Sequence, residues 1–301
     1  MLRPWLELAR ISNLPTVWTN VTAAWLLAGG PWVDATLAWL LLAGSLLYTG
    51  GMILNDAADV KHDRDHKKDR PIPSDKVSPA AAWSVGLAMM AVGAALAIVQ
   101  AQASPWITLA LVAAILFYDL YHKPWPGAVW VMGTCRVLLY LMAASATQSN
   151  KNEGLGQTVL LLALTLGAYI VGLTMVARME AKGAVTSRLR AFFAKALLYS
   201  PALVALGFWL ARANWRLIPL LGDLTPLVPL PFILVFLGTV FYASRIMRQG
   251  GPAIGRAVGI LLAGIAVVDA LAVMQVSPAL ACGFVVLAPI LRLWQRWIAA
   301  T

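Results

Sequence analysis

Asn55, Asp56, Asp59 and Asp63 crowd the end of a long apolar run, in the stretch "NDAADVKHDRDHKKDRPIPSDKVS" from Asn55 to Ser78. On a helix, the spacing i, i+4, i+8 of Asn55, Asp59 and Asp63 drifts only about 40° per step, so their oxygens share one face, with Asp56 in the same arc. Hard cations such as Mg²⁺ take oxygen ligands of this kind and keep sites open for water and substrate phosphate. Lys61, Arg64, Lys67, Lys68 and Arg70 follow at once and would meet the remaining phosphate charge. Charge alone equally suits a solvated helix end with i,i+4 ion pairs, or an anchor on anionic lipid.

These side chains must be held by apolar elements, because little else is available. The chain of 301 residues is 60% hydrophobic and 12% charged, with a mean hydropathy of +0.77, where soluble domains carry about 25% charged residues. Membrane helices need roughly 20 apolar residues. Ten stretches approach that length: 13–30, 36–58, 79–101, 105–122, 127–147, 157–179, 192–212, 225–244, 256–275 and 278–297. The expectation is a single all-α, polytopic membrane domain over residues 1–301, with no cleavable signal segment and no cysteine framework in Cys135 and Cys282.

The net charge of +10 is a topology signal and not a nucleic-acid footprint. If the loops alternate sides, nineteen of the 23 Lys and Arg residues fall on the side of the N-terminus and of residues 55–78. Cytoplasmic loops collect Lys and Arg, so the charged loops are expected to face the cytoplasm, in a prokaryotic inner membrane. Tryptophans near span ends, Trp32, Trp106 and Trp209 among them, suit the interfacial belt.

"NDAADVKHD" followed by "DRPIPSDKVS" resembles the first signature of the UbiA family of intramembrane prenyltransferases, Asn-Asp-x-x-Asp-x-x-x-Asp and then Arg-Pro-Leu/Ile-Pro-Ser-Gly. Asp75 stands where that family usually has Gly. "LARISNLPTVWTNVTAAWL", with Arg10, Asn13 and Asn20, is similar to the family's first helix; "LFYDLYHKPWP", with Tyr118 and Lys123, is similar to the stretch after its fourth. Within the family the pattern resembles the EboC-like branch. The resemblance implies nine helices around a central cavity, a tenth being an addition here. It implies transfer of an isoprenyl group from a prenyl diphosphate to an acceptor. Asn55, Asp59 and Asp63 would hold Mg²⁺, Asp59, Asp63 and Lys123 would serve catalysis, and Arg70 and Lys123 would contact phosphate.

One departure bears on the mechanism. The family's second acidic signature, Asp-x-x-x-Asp at the end of the sixth helix, falls on "TMVARMEAKGAVTSRLR". One alignment replaces the acids with Arg178 and Lys182, another with Met175 and Met179, and Glu180 is the lone acid nearby. Arg178 and Lys182 would then clamp phosphate directly, with Glu180 as one further ligand. The same loss suits an alternative, a non-catalytic relative that carries, transports or scaffolds an isoprenoid. Arg136, roughly 13 Å into the fifth span at 1.5 Å per residue, is expected either on the cavity wall near the diphosphate or in a structural pair with Asp269. Asn13 and Asn20 read as interhelical links or acceptor contacts, and Tyr118 as a substrate contact.

Overall fold

The computed structural model describes residues 2–121, 125, 127–147, 156–182, 188–212 and 227–295, with the backbone alone at 180–182 and 212. Helices account for every regular element among them. A short α1 (Leu2–Leu8) leads through a left-handed Arg10 (φ 43°) and a 3₁₀ turn (Ile11–Asn13) into α2 (Leu14–Leu27). Then come α3 (Ala35–Ala58), α4 (Val60–His66), α5 (Pro79–Ala95, extended by a π turn over Leu96–Gln100), α6 (Pro105–Tyr121) and α7 (Ala128–Ser145). The second half holds α8 (Gln157–Lys182), α9 (Arg188–Arg212), α10 (Pro229–Met247), α11 (Pro252–Ala263), α12 (Ile265–Val273) and α13 (Pro278–Trp294).

Helix starts follow from local chemistry. Asp34 accepts from the Thr36 amide at 2.6 Å to open α3, and Ser78 accepts from Ala81 N at 3.2 Å to open α5. Such caps satisfy amides that have no partner within the helix. Proline sits in the first turn of α2, α5, α10, α11 and α13, where its missing N–H leaves no bond unmade.

Each of the ten expected spans meets helix. Among the described residues, seven helical stretches are long and apolar enough to cross a bilayer, counting α11 and α12 together, while α6 and α13 are shorter apolar helices. The first expected span is shorter still, because α2 has 14 residues, about 21 Å against a hydrocarbon core of about 30 Å. The 3₁₀ turn and α1 continue it toward the charged end. The ninth expected span is interrupted at Gly264.

The helices pack through small residues, as in lipid, where close backbone approach replaces the hydrophobic drive. A Cβ on Gly133 of α7 would stand 2.8 Å from Gly167 O of α8. One on Gly50 of α3 would stand 2.9 Å from Gly86 O of α5. Within this frame α3, α6, α7, α8 and α11 enclose a cavity of about 690 Å³, with Arg10, Asn13 and Lys67 bordering it near the end that carries residues 55–78.

Candidate active site

The acidic stretch keeps helical hydrogen bonding through the junction of α3 and α4. Asp59 N donates to Asn55 O at 3.0 Å, and Asp63 N donates to Asp59 O at 2.9 Å. The helical register behind the expected spacing is therefore kept, with Asp59 (φ −84°, ψ −3°) as the joint between the two helices. Asn55, Asp56 and Asp63 are buried, Asp63 to 1% exposure, while Asp59 is half-buried.

Residues 67–78 fold back as a compact plug over this face. Ser74 Oγ donates to Arg70 O at 2.7 Å, and the amides of Lys76 and Val77 both reach Pro71 O. Ile72 and Val77 bury against Leu8, Ile53, Ala57 and Ala82. Asp75, the departure from the glycine of the signature, has φ +58°. That left-handed conformation is what glycine adopts freely and what Asp tolerates better than most side chains.

The plug carries Arg70 into the acids. Its Nη1 donates to Asp63 Oδ2 at 2.6 Å and to Asp56 Oδ1 at 3.1 Å; Arg10 Nη2 donates to the same Asp56 oxygen at 3.2 Å. Arg70, expected against phosphate, thus bridges two carboxylates and does not line the cavity. Asp63 Oδ1 is a buried acceptor with no hydrogen-bond donor among the described residues.

One acid the sequence reading passed over joins this group. Asp119, at the end of α6, is 3% exposed, lines the cavity and accepts from Asn55 Nδ2 at 3.1 Å. The signal was an acid beside Tyr118, at the close of an apolar run, where interfacial side chains are common. Tyr118 and Arg178 also line the cavity, as does Lys67. Partial burial of Lys67, with Arg70 beside it, holds the ammonium below the ordinary lysine range. Glu180 and Lys182 lie on the last turn of α8 with side chains outside the described residues, and Lys123 lies outside them altogether.

Deeper in the bundle, Arg136 lines the cavity. It donates from Nη1 to Asn20 Oδ1 at 2.8 Å and from Nη2 to Thr16 Oγ1 at 3.1 Å. Asn20 Nδ2 donates in turn to Asp269 Oδ2 at 2.7 Å. Asn13 borders the cavity, whereas Asn20 is fully buried behind it and links α2 to α7 and α12. Arg136 thus faces the cavity, and in place of the expected direct pair with Asp269 it reaches that carboxylate only through Asn20.

A divalent ion can be tested against these donors. Among the described residues no three His, Cys, Asp or Glu side chains gather at metal distance. The donors that are present are all hard oxygens, and Asp63 Oδ1 is a buried acceptor without a donor, a need that a cation meets. The chemistry of the set fits Mg²⁺.

The family model for the UbiA prenyltransferase family matches residues 15–265. The chain belongs to the UbiA prenyltransferase family. Digeranylgeranylglyceryl phosphate synthase of Methanopyrus kandleri is 35% identical over 141 residues, covering 44% of this chain and 51% of the relative. The enzyme of the same name from Ignicoccus hospitalis is 31% identical over 149 residues, 48% of each chain. These matches span about half the length of the relatives, or less. A solved digeranylgeranylglyceryl phosphate synthase superposes with a TM-score of 0.62 at 19% identity, over 95% of this chain and 98% of the other. A UbiA homologue from Aeropyrum pernix K1 does so with 0.61 at 15% identity, over 88% and 97%. Both likenesses show that the fold is that of a UbiA membrane bundle.

Proposed function

We propose that this UbiA-family protein transfers an isoprenyl group from a prenyl diphosphate to an acceptor within the membrane. The observation that carries the reading is Asp119, a buried carboxylate at the polar end of an apolar-walled cavity that is hydrogen-bonded to Asn55 of the acidic stretch. The curated relatives are named for a geranylgeranylated lipid phosphate, which favours a long isoprenyl donor.

Asn55, Asp59 and Asp63, joined by Asp119, would hold Mg²⁺. When bound, the ion would neutralise the leaving diphosphate as a Lewis acid. Arg178, Lys67 and Arg10 stand around the same end and pair with phosphate oxygens. In this way fixed cations take over part of what the missing acidic pair does in the family, and Asp119 restores one carboxylate from a different helix. Leu47, Leu139, Ile170 and Leu173 keep water from the allylic carbon while the C1–O bond breaks and the acceptor's nucleophile adds with loss of a proton. Lys123 and Lys182 remain proposed phosphate contacts, and Glu180 a proposed further ligand of the ion. By the asymmetry of Lys and Arg, the charged end faces the cytoplasm of a prokaryotic inner membrane.

The test is diphosphate release by the purified full chain in lipid nanodiscs, given geranylgeranyl diphosphate, Mg²⁺ and an extract of the host membrane as acceptor source. Release that needs both Mg²⁺ and extract is expected. Donor binding with no turnover under any acceptor would instead identify an isoprenoid carrier.

A further inference from the structure

Arg292, in the last turn of α13, departs from the usual habit of an arginine at a membrane helix end. Long cationic side chains there run along apolar surface until the charge reaches water. Arg292 is half-buried and turns sideways onto α11 instead. A Cβ on Gly259 of α11 would stand 2.8 Å from Arg292 Nη1 and 2.9 Å from Gln295 Oε1, so the glycine leaves the space in which both side chains lie. Nη1 donates to Gln295 Oε1 at 2.9 Å, which holds the guanidinium in the seam between the two helices. Deeper in, Ala263 and Ala266 close the seam against Ala288 and Leu291.

The mouth of this seam is rich in donors and poor in acids. Gln295 is 6% exposed, and its Nε2 is a buried donor with no acceptor among the described residues. Arg256 precedes Gly259 by three residues, which puts it on the same side of α11, one turn nearer the charged end, and it is exposed. Among the described residues, the ion pairs within 4.0 Å involve Arg3, Arg10 and Arg70, and neither Arg256 nor Arg292. After Asp223 the sequence holds a single acid, Asp269, which is buried and accepts from Asn20. A guanidinium keeps its charge, and one turned away from water calls for an anion. Arg245 and Arg248 differ: both are exposed at the end of α10, where the orientation of the bundle alone accounts for them.

The surroundings favour an anion that carries hydrocarbon. On the side of α13 that bears Arg292, Pro289 is exposed and Val285 half-buried, and Ile260 of α11, one turn above Arg256, is half-buried too. An apolar strip therefore leads from the arginines toward the middle of the bilayer. Basic pockets between membrane helices on the charged side bind anionic headgroups. We infer that the seam between α11 and α13, at Arg256, Gly259, Arg292 and Gln295, binds the phosphate of an anionic bilayer phospholipid. Its oxygens accept from the two guanidinium groups and from Gln295 Nε2, and an acyl chain lies along the strip. The seam uses α13, which lies beyond residues 15–265 of the family match. It also uses a different face of α11 from the one that gives Ile254, Gly255, Val258 and Leu262 to the cavity. None of its four residues lines the cavity, so the site stands whether or not the chain transfers a prenyl group.

Native mass spectrometry tests this on the full chain, released from micelles that contain equal amounts of phosphatidylglycerol and phosphatidylcholine with the same acyl chains. One arginine beside an anionic headgroup favours it about fivefold, so two should make the wild type retain phosphatidylglycerol about twentyfold over phosphatidylcholine. Arg292→Gln should cut that preference to about fivefold. Gly259→Ala should do the same with every charge kept, because the new Cβ displaces the flexible ends of Arg292 and Gln295 and no backbone. Arg248→Gln, which removes one exposed cation outside the seam, should leave the preference as it was. An undiminished preference in either seam variant would overturn the site. An equal loss in Arg248→Gln would overturn it too, since general attraction between a basic surface and anionic lipid needs no seam. Displacement of the lipid by millimolar inorganic phosphate would make the ligand a soluble anion, with the same consequence. Thermal midpoints in detergent are measured alongside, and if Arg292→Gln does not fold, Gly259→Ala alone decides.

Discussion

At the scale of single residues, Asp119 and Lys67 make the sharpest statements. Asp119→Asn keeps an oxygen for the Asn55 amide but removes the charge. Divalent-ion affinity should fall by about 10–100-fold, the range seen when groups supporting a metal site are lost. Mn²⁺ titration followed by electron paramagnetic resonance reads this without turnover, and unchanged affinity would remove Asp119 from the site. Lys67 predicts a pH limb. Its ammonium is charged below its pKa, and partial burial together with Arg70 lowers that pKa. Donor binding should therefore weaken as pH rises, earlier than the ordinary lysine value of about 10.4 would give. Lys67→Arg should abolish that limb, because a guanidinium stays charged. Asn55 and Asp63 were legible in the sequence because their spacing matches a helical face. Asp119 was not, because a lone acid next to interfacial aromatics has no periodic partner. The approach of Asn55 and Asp119 joins residues 64 positions apart, and only the packing of α3 against α6 brings them together.

At the scale of elements, the spans were legible because apolar runs of bilayer length leave few alternatives. The break between α11 and α12 was not, since Gly264 interrupts the helix without interrupting the apolar pattern. Nor was the role of the small residues, which depends on which helix lies opposite. The contact between α7 and α8 is set by Gly133, where an added Cβ would approach Gly167 O to 2.8 Å and Val171 Cγ2 to 2.6 Å. Gly133→Val should push these helices apart at a cost of about 1–3 kcal/mol, the usual range for overpacking. A lowered thermal midpoint in detergent, with Gly207→Val on the open face of α9 as control, checks it; nothing lies within 4 Å of a Cβ there.

At the scale of the whole molecule, the asymmetry of charge predicts orientation. Lys76 lies in the exposed part of the plug, and Val33, 86% exposed, lies in the connection between α2 and α3 at the opposite end of α3. With Cys135 and Cys282 replaced, Val33→Cys should react with an impermeant maleimide on intact cells, and Lys76→Cys only after permeabilisation. The reverse pattern would invert the assignment of the charged loops.

The cavity of about 690 Å³ has walls built chiefly from leucine, isoleucine, methionine and glycine of α3, α6, α7, α8 and α11. A hydrocarbon chain that enters it from the bilayer exchanges one oily surrounding for another, and lipid tails are as apolar as leucine. Lengthening a ligand by one isoprene unit therefore adds little to its affinity in a membrane, however much it would add in water. Discrimination among ligands falls to the ends that carry charge.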